Sequence, residues 1–233
     1  MTTSHVQSML GLRFRPIAVA FRSEVPDDVP RWTGDRVPAG CTFWRRAAEG
    51  ETFCTLPSDH YDCAVGCHTH SIALPEERVS DLERAVRLMT SVRYVSAEEI
   101  PHIPTLAQSP RAILYGPADP PSFEPDVVLV AVRPDQAMFL EEACIRAGAV
   151  TLAAQVLGRP ACAVLPLTVR SRAASFSLGC AGNRMFSGVQ ADEVWLAVPG
   201  ARWDAVAEAL ADVLVANETM ERHYEERLRR HWL

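Results

Sequence analysis

Two unbroken apolar runs constrain the fold more than any other feature of the chain. They are "PIAVAF" at residues 16–21 and "VVLVAV" at 127–132. Neither alternates with polar residues, as a half-exposed strand would. A short continuous run of this kind, bounded by Pro, Arg and Asp, reads as a strand buried in the middle of a sheet. "RAILYG" (111–116) is a third candidate, separated from the 127–132 run by the turn-rich "PADPPSFEP". "ETFCTL", "SFSLG" and "EVWLAV" supply further short strands.

Helical segments lie between these strands. "CTFWRRAAEG" begins at Cys41 and stops at Gly50, while "PEERVSDLERAVRLMTSV" (75–92) opens on a proline with acidic residues in its first turn. In that second segment Val79, Leu82, Val86 and Met89 share one face. "PDQAMFLEEACIRAG" (134–148) starts with proline and ends with glycine. The alternation predicts an α/β (mixed α+β) fold, a mixed sheet covered by helices. The expected organisation is a single domain over 1–233, with a core at 8–200 and a long C-terminal helix at 203–230. "IAVAFRSEVP" leading to "CTFWRRAAEG" is echoed by "VVLVAVRP" leading to "QAMFLEEACIRAG", which suggests an internal strand–helix pseudo-repeat.

The apolar stripe of the last helix runs from Val206 to Leu214, then thins to Met220, Tyr224 and Leu228 among Glu and Arg. At 1.5 Å per residue this helix spans about 40 Å and overshoots a body of this size. Its end is therefore expected to project or to pack on a second copy, and a homodimer is the partner expectation.

A net charge of −6 and a pI near 5.7 argue against nucleic-acid binding, which needs a basic face. No segment reads as a signal peptide, and no apolar run approaches the length of a membrane span. The expectation is a cytoplasmic protein without membrane contact, in which thiols stay reduced. Seven cysteines, an odd number, make a disulfide framework the poorer reading.

Chemistry concentrates in "HYDCAVGCHTHS" (60–71). Its C-x3-C-H is one residue longer than a haem attachment motif. A C-x3-C-x2-C radical-cluster pattern fails because residue 70 is His. Cys63, Cys67, His68 and His70 could serve zinc locally, although adjacent Cys67 and His68 cannot easily share one ion. Dinucleotide, P-loop, zinc-protease and serine-hydrolase motifs are missing from the sequence.

Several stretches together resemble a known family: "LGLRFRPIAVAF", "GCTFWRRAAEGETF", "DCAVG" with "THSIALP", "FEPDVVLVAVRPDQAMFL", "ACAVLPLT" and "SLGCAGNR". In order and spacing they resemble the family called domain of unknown function 169, over roughly residues 8–200. The resemblance implies that the recurrent cysteines are Cys41, Cys63, Cys162 and Cys180. It leaves Cys54, Cys67, Cys144 and His68 outside the pattern, and it supplies no reaction.

Local chemistry is compatible with that selection. Cys41 opens a helix, where the backbone dipole favours a thiolate. Cys180 lies between Gly179 and Gly182, and glycines let amides approach sulfur or an anion. Cys144 and Cys54 read as small core residues. The expectation is a metal centre on Cys41, Cys63, Cys162 and Cys180. A [4Fe–4S] iron–sulfur cluster is the first candidate and zinc the alternative. It would act on a small-molecule substrate as an oxidoreductase or lyase, with His70 as proton donor and Arg184 holding an anionic group. The competing expectation is a zinc-stabilised or metal-free module that binds a small molecule or a partner.

Overall fold

The computed structural model describes residues 6–149 and 155–232. In chain order its elements are α1 (Val6–Leu10), β1 (Ile17–Arg22), α2 (Cys41–Ala48), β2 (Phe53–Thr55), α3 (Ala64–Thr69), α4 (Val79–Ser91), β3 (Ala112–Pro117) and β4 (Val127–Val132). They continue with α5 (Pro134–Arg146), β5 (Gln155–Leu157), α6 (Val164–Ser171), β6 (Ser175–Ser177), α7 (Ala181–Ser187), β7 (Val194–Pro199) and α8 (Trp203–Trp232). The strands form one sheet in the order β2-β3-β1-β4-β7-β6-β5. All neighbours are antiparallel except β5 and β6, so the sheet is mixed, as the sequence predicts.

The two unbroken apolar runs are the central strands, and their lack of alternation has a direct cause. Ile17, Val19, Val127, Leu129 and Ala131 pack into a core on one face, with Trp44, Trp195 and Leu165. Ala18, Val128, Val130 and Val132 pack into a second core on the other, with Leu140, Trp203 and Leu210. Because helices cover both faces, each strand position must be apolar whichever way it points. The first face carries α2 and α6, and the second carries α5 and α8.

The strand pairing is two-fold symmetric in register. Ile17 faces Pro117 and Val127 faces Pro199. Phe53 faces Tyr115 and Ser175 faces Ala197. At the centre Ile17 faces Leu129 while Val19 faces Val127, so the pseudo-axis passes at the Ala18–Val128 pair. The expected pseudo-repeat is present in the strands. The helix following each strand is not equivalent, however: α2 joins the first core and α5 the second. The equivalent of α2 is α6. The repeated unit is thus long strand, helix, short strand, helix, long strand: β1-α2-β2-α3-β3 and β4-α6-β6-α7-β7, with α4 inserted before β3 in the first and α5 and β5 after β4 in the second.

The final helix docks by Val206, Leu210 and Val213, all buried, and then leaves the body. Beyond Asn217 its apolar row of Met220, Tyr224 and Leu228 is exposed. Among the described residues no helix is long and apolar enough to cross a membrane.

Candidate functional site

On the first face, the helix starts of both repeat units point at one cavity of about 710 Å³. Cys41 is the first residue of α2. Cys63 and Cys180 immediately precede α3 and α7. Cys162 sits in a short 3-10 turn, Ala161–Ala163, that leads into α6. All four line the cavity. Under the sheet's pseudo-axis Cys41 corresponds to Cys162 and Cys63 to Cys180, so each repeat unit contributes two thiols. These four are half-buried and free, whereas Cys54, Cys67 and Cys144 are fully buried.

Local contacts fix the sulfurs. Cys41 Sγ lies 4.0 Å from the Gly182 carbonyl oxygen, and Thr69 Oγ1 lies 3.3 Å from Cys162 Sγ. A Cβ on Gly66 would stand 2.9 Å from Cys63 Sγ, so the glycine three residues after Cys63 is the space that this thiol occupies. Behind the thiols, Asn183 Oδ1 accepts a 2.8 Å hydrogen bond from the Trp195 indole, and Trp195 meets Trp44 edge-on.

Electrostatics correct one expectation. A helix start should favour a thiolate at Cys41, yet its pKa is pushed up to about 12. Burial is the largest cause, and the neighbouring Cys63 and Cys180 add to it, outweighing the backbone and Asn183 contacts that act the other way. Cys162 is raised well above the ordinary thiol value, first by burial and then by Cys63. The Tyr115 hydroxyl is raised by burial and by Cys162, Cys41 and Cys63, and it has no hydrogen-bond partner. Burial and mutual repulsion therefore hold Cys41, Cys162 and Tyr115 in their protonated, uncharged forms.

His70 also lines the cavity, is 2% exposed, and has no hydrogen-bond partner at either ring nitrogen. Burial lowers its pKa to about 4. At neutral pH it is an uncharged imidazole, so it offers one N–H and one lone pair rather than the proton of an imidazolium. Its neighbour His60, 6.1 Å away between ring centroids, is lowered to about 3 by burial and by His70. His60 Nε2 lies 2.9 Å from Thr55 Oγ1, which itself donates to the Ile113 carbonyl at 3.0 Å. The hydroxyl must therefore accept from His60, which fixes the proton on Nε2.

Arg184 is corrected as an anion holder. Its guanidinium donates to the carbonyls of Gln190, Leu178 (2.6 Å) and Glu193 (3.2 Å), and it does not line the cavity. It ties the loop after α7 to the strands. The arginines that do line the cavity are Arg84, held by Asp81, and Arg159, whose guanidinium lies 4.2 Å over the Tyr94 ring. Tyr94 in turn accepts a 2.9 Å hydrogen bond from the Ala181 amide, next to Cys180.

The "HYDCAVGCHTHS" stretch is also less of a loop than its composition suggests. Residues 64–69 form α3, with Cys67 donating to the His60 carbonyl at 3.2 Å inside the core. The local zinc set is thereby broken up, because Cys67 serves packing while Cys63 serves the cavity. Among the described residues no group of three or more His, Cys, Asp or Glu side chains is spaced to hold a metal ion as they stand. Sequence reasoning missed Tyr94, Tyr115 and Arg159. One available signal was the Cys-Ala pair repeated at 63–64, 162–163 and 180–181.

A family model described as DUF169, uncharacterised ArCR, matches residues 5–209. No curated protein and no solved structure matches the chain.

Proposed function

The chain belongs to the domain of unknown function 169 family, whose description assigns no activity, and we propose from the cavity itself that the protein is an iron–sulfur protein acting on a small molecule. The observation that carries this reading is the convergence of Cys41, Cys63, Cys162 and Cys180 on one cavity, where burial and mutual repulsion keep Cys41 and Cys162 protonated. A cationic centre relieves both penalties, because coordination replaces the thiol protons. The donor set fits: four soft sulfurs suit an iron–sulfur core or zinc. A multi-iron core is favoured over one zinc ion because the thiols share a cavity wall without forming an ion-sized cage.

When bound, such a core supplies redox chemistry, or a Lewis-acidic iron if one sulfur ligand is displaced. The protein's part is to hold the core in a desolvated place and to leave room beside it. Neutral His70 would donate or accept a hydrogen bond at the substrate, and the unpartnered Tyr115 hydroxyl, which feels Cys41, Cys63 and Cys162, would be a buried donor behind the core. We further read the protein as cytoplasmic and the exposed end of α8 as a homodimer contact.

Purification without oxygen, followed by iron and sulfide analysis, tests the centre. Iron and sulfide in comparable amounts, with visible charge-transfer absorbance, are expected. The absorbance is expected to disappear in Cys41→Ser and Cys162→Ser and to persist in Cys144→Ser. Folded protein that takes up neither iron nor sulfide on reconstitution refutes the cluster; tight zinc uptake by the same four residues would put zinc in its place.

A further inference from the structure

α4 is an amphipathic helix of 13 residues, yet none of its residues is buried. Leu82, Val86 and Met89, spaced for one face, are only half-buried and line the thiol cavity. In a chain where both faces of the sheet are covered by packed side chains, this is an apolar helix face with a cavity in place of a protein partner. The opposite wall is apolar as well, formed by Trp44, Phe186 and the four thiols. A space of about 710 Å³ falls within the range that encloses a drug-sized molecule.

One end of this space differs. The Arg159 guanidinium carbon lies 4.2 Å over the Tyr94 ring, and among the described residues no carboxylate pairs with it. A guanidinium that rests on an aromatic ring without a carboxylate partner keeps N–H donors available for a planar anion. The other cavity arginine, Arg84, is already held by Asp81 and by the Ser80 hydroxyl at 3.1 Å. The tyrosine beneath Arg159 is itself fixed by the Ala181 amide. The cation rests on this ring and lines the same cavity as the thiols.

We propose that the cavity binds a small molecule of largely hydrocarbon or aromatic surface carrying one anionic group, its body along the inner row of α4 and its anion on Arg159. This names the substrate class for the proposed centre and rests on reading the cavity as a small-molecule site. The body of such a molecule supplies the cover that α4 lacks, and its far end reaches the thiols and His70.

Anilinonaphthalene sulfonate, an aromatic sulfonate that fluoresces in apolar surroundings, serves as the probe, with decanoate and decanol as competitors. The expected result is displacement by decanoate, with decanol weaker by about ten-fold for the lost charged hydrogen bonds. Arg159→Gln should bring decanoate down to the level of decanol, and Ala85→Trp, which fills the cavity, should abolish displacement while the circular-dichroism melt stays cooperative. If Ala85→Trp does not fold, Val86→Asp replaces it. Failure of decanoate to displace the probe, equal displacement by decanol, or full binding in the folded filled variant overturns the proposal. Iron and sulfide are measured on the same preparations. Cluster without decanoate binding overturns the ligand alone, and decanoate binding in a metal-free Cys41→Ser, Cys162→Ser protein supports the ligand while the centre is judged separately.

Discussion

Acidification should unfold this protein well before its carboxylates titrate, and the cause is the buried pair His60 and His70. Both are all but inaccessible, at 1% and 2% exposed. Burial lowers them to about 3 and about 4 respectively. In the unfolded chain a histidine titrates near 6.5. Between these values the unfolded state holds more protons than the folded one, so stability is fully present above about pH 6.5 and is lost as the pH falls through the window. Because pH 5 lies about 1.5 units below the unfolded value and still above both folded values, the loss by then is about 2 kcal/mol per histidine and about 4 kcal/mol for the pair. That is a large part of the stability of an ordinary domain. The lowered carboxyls, such as Asp62 and Asp81, lose their ion pairs at lower pH still and leave this interval to the histidines. The assay is urea unfolding of metal-free protein at pH 7.5, 6 and 5. A fall of the expected size should be roughly halved in His70→Asn, because one titrating site remains. A stability that is flat from pH 7.5 to 5, or a slope unchanged in His70→Asn, would refute the reasoning.

Two further outcomes follow from particular contacts. Gly66→Ala places a methyl 2.9 Å from Cys63 Sγ; the sulfur must move, so reconstituted iron is expected to fall by at least half while the thermal midpoint shifts by only a few degrees, as core analysis and calorimetry can check. Removing the chain after Asn217 deletes the exposed row Met220, Tyr224 and Leu228, and light scattering should then change from a dimer to a mass near that of one chain. A mass of 25.6 kDa for the untruncated chain removes the dimer.

The central strands were legible because burial on both faces leaves a signature that no surface strand shares. The helices α4, α5 and α8 were legible from their period and their stops. Less legible was anything decided by desolvation. Cys41 stands at a helix start, which argues for a thiolate, but the cavity around it withdraws water and adds two more thiols. His70 looks like a proton donor in a list of residues and is an uncharged imidazole in its surroundings. Arg184 follows a Gly-flanked cysteine, as an anion-binding arginine would, yet three carbonyl oxygens claim its guanidinium. The pseudo-repeat was read from its strands and matched to the wrong helix, since α5 follows β4 as directly as any repeat would require. Only the pairing register, which depends on contacts far apart in the chain, shows that α6 is the counterpart of α2.

The two-fold register of the sheet has a consequence for how this chain can be cut or varied. Each repeat unit brings two of the four cavity thiols, so neither unit alone encloses anything for a ligand to enter. Two separately expressed fragments, parted between β3 and β4, would each be silent, and any activity regained on mixing would report their reassociation along the β1–β4 seam. The same seam limits divergence. A substitution that shifts one unit against the other moves two sulfurs relative to the remaining two, so the halves can drift apart in sequence only while they keep step at Ala18 and Val128.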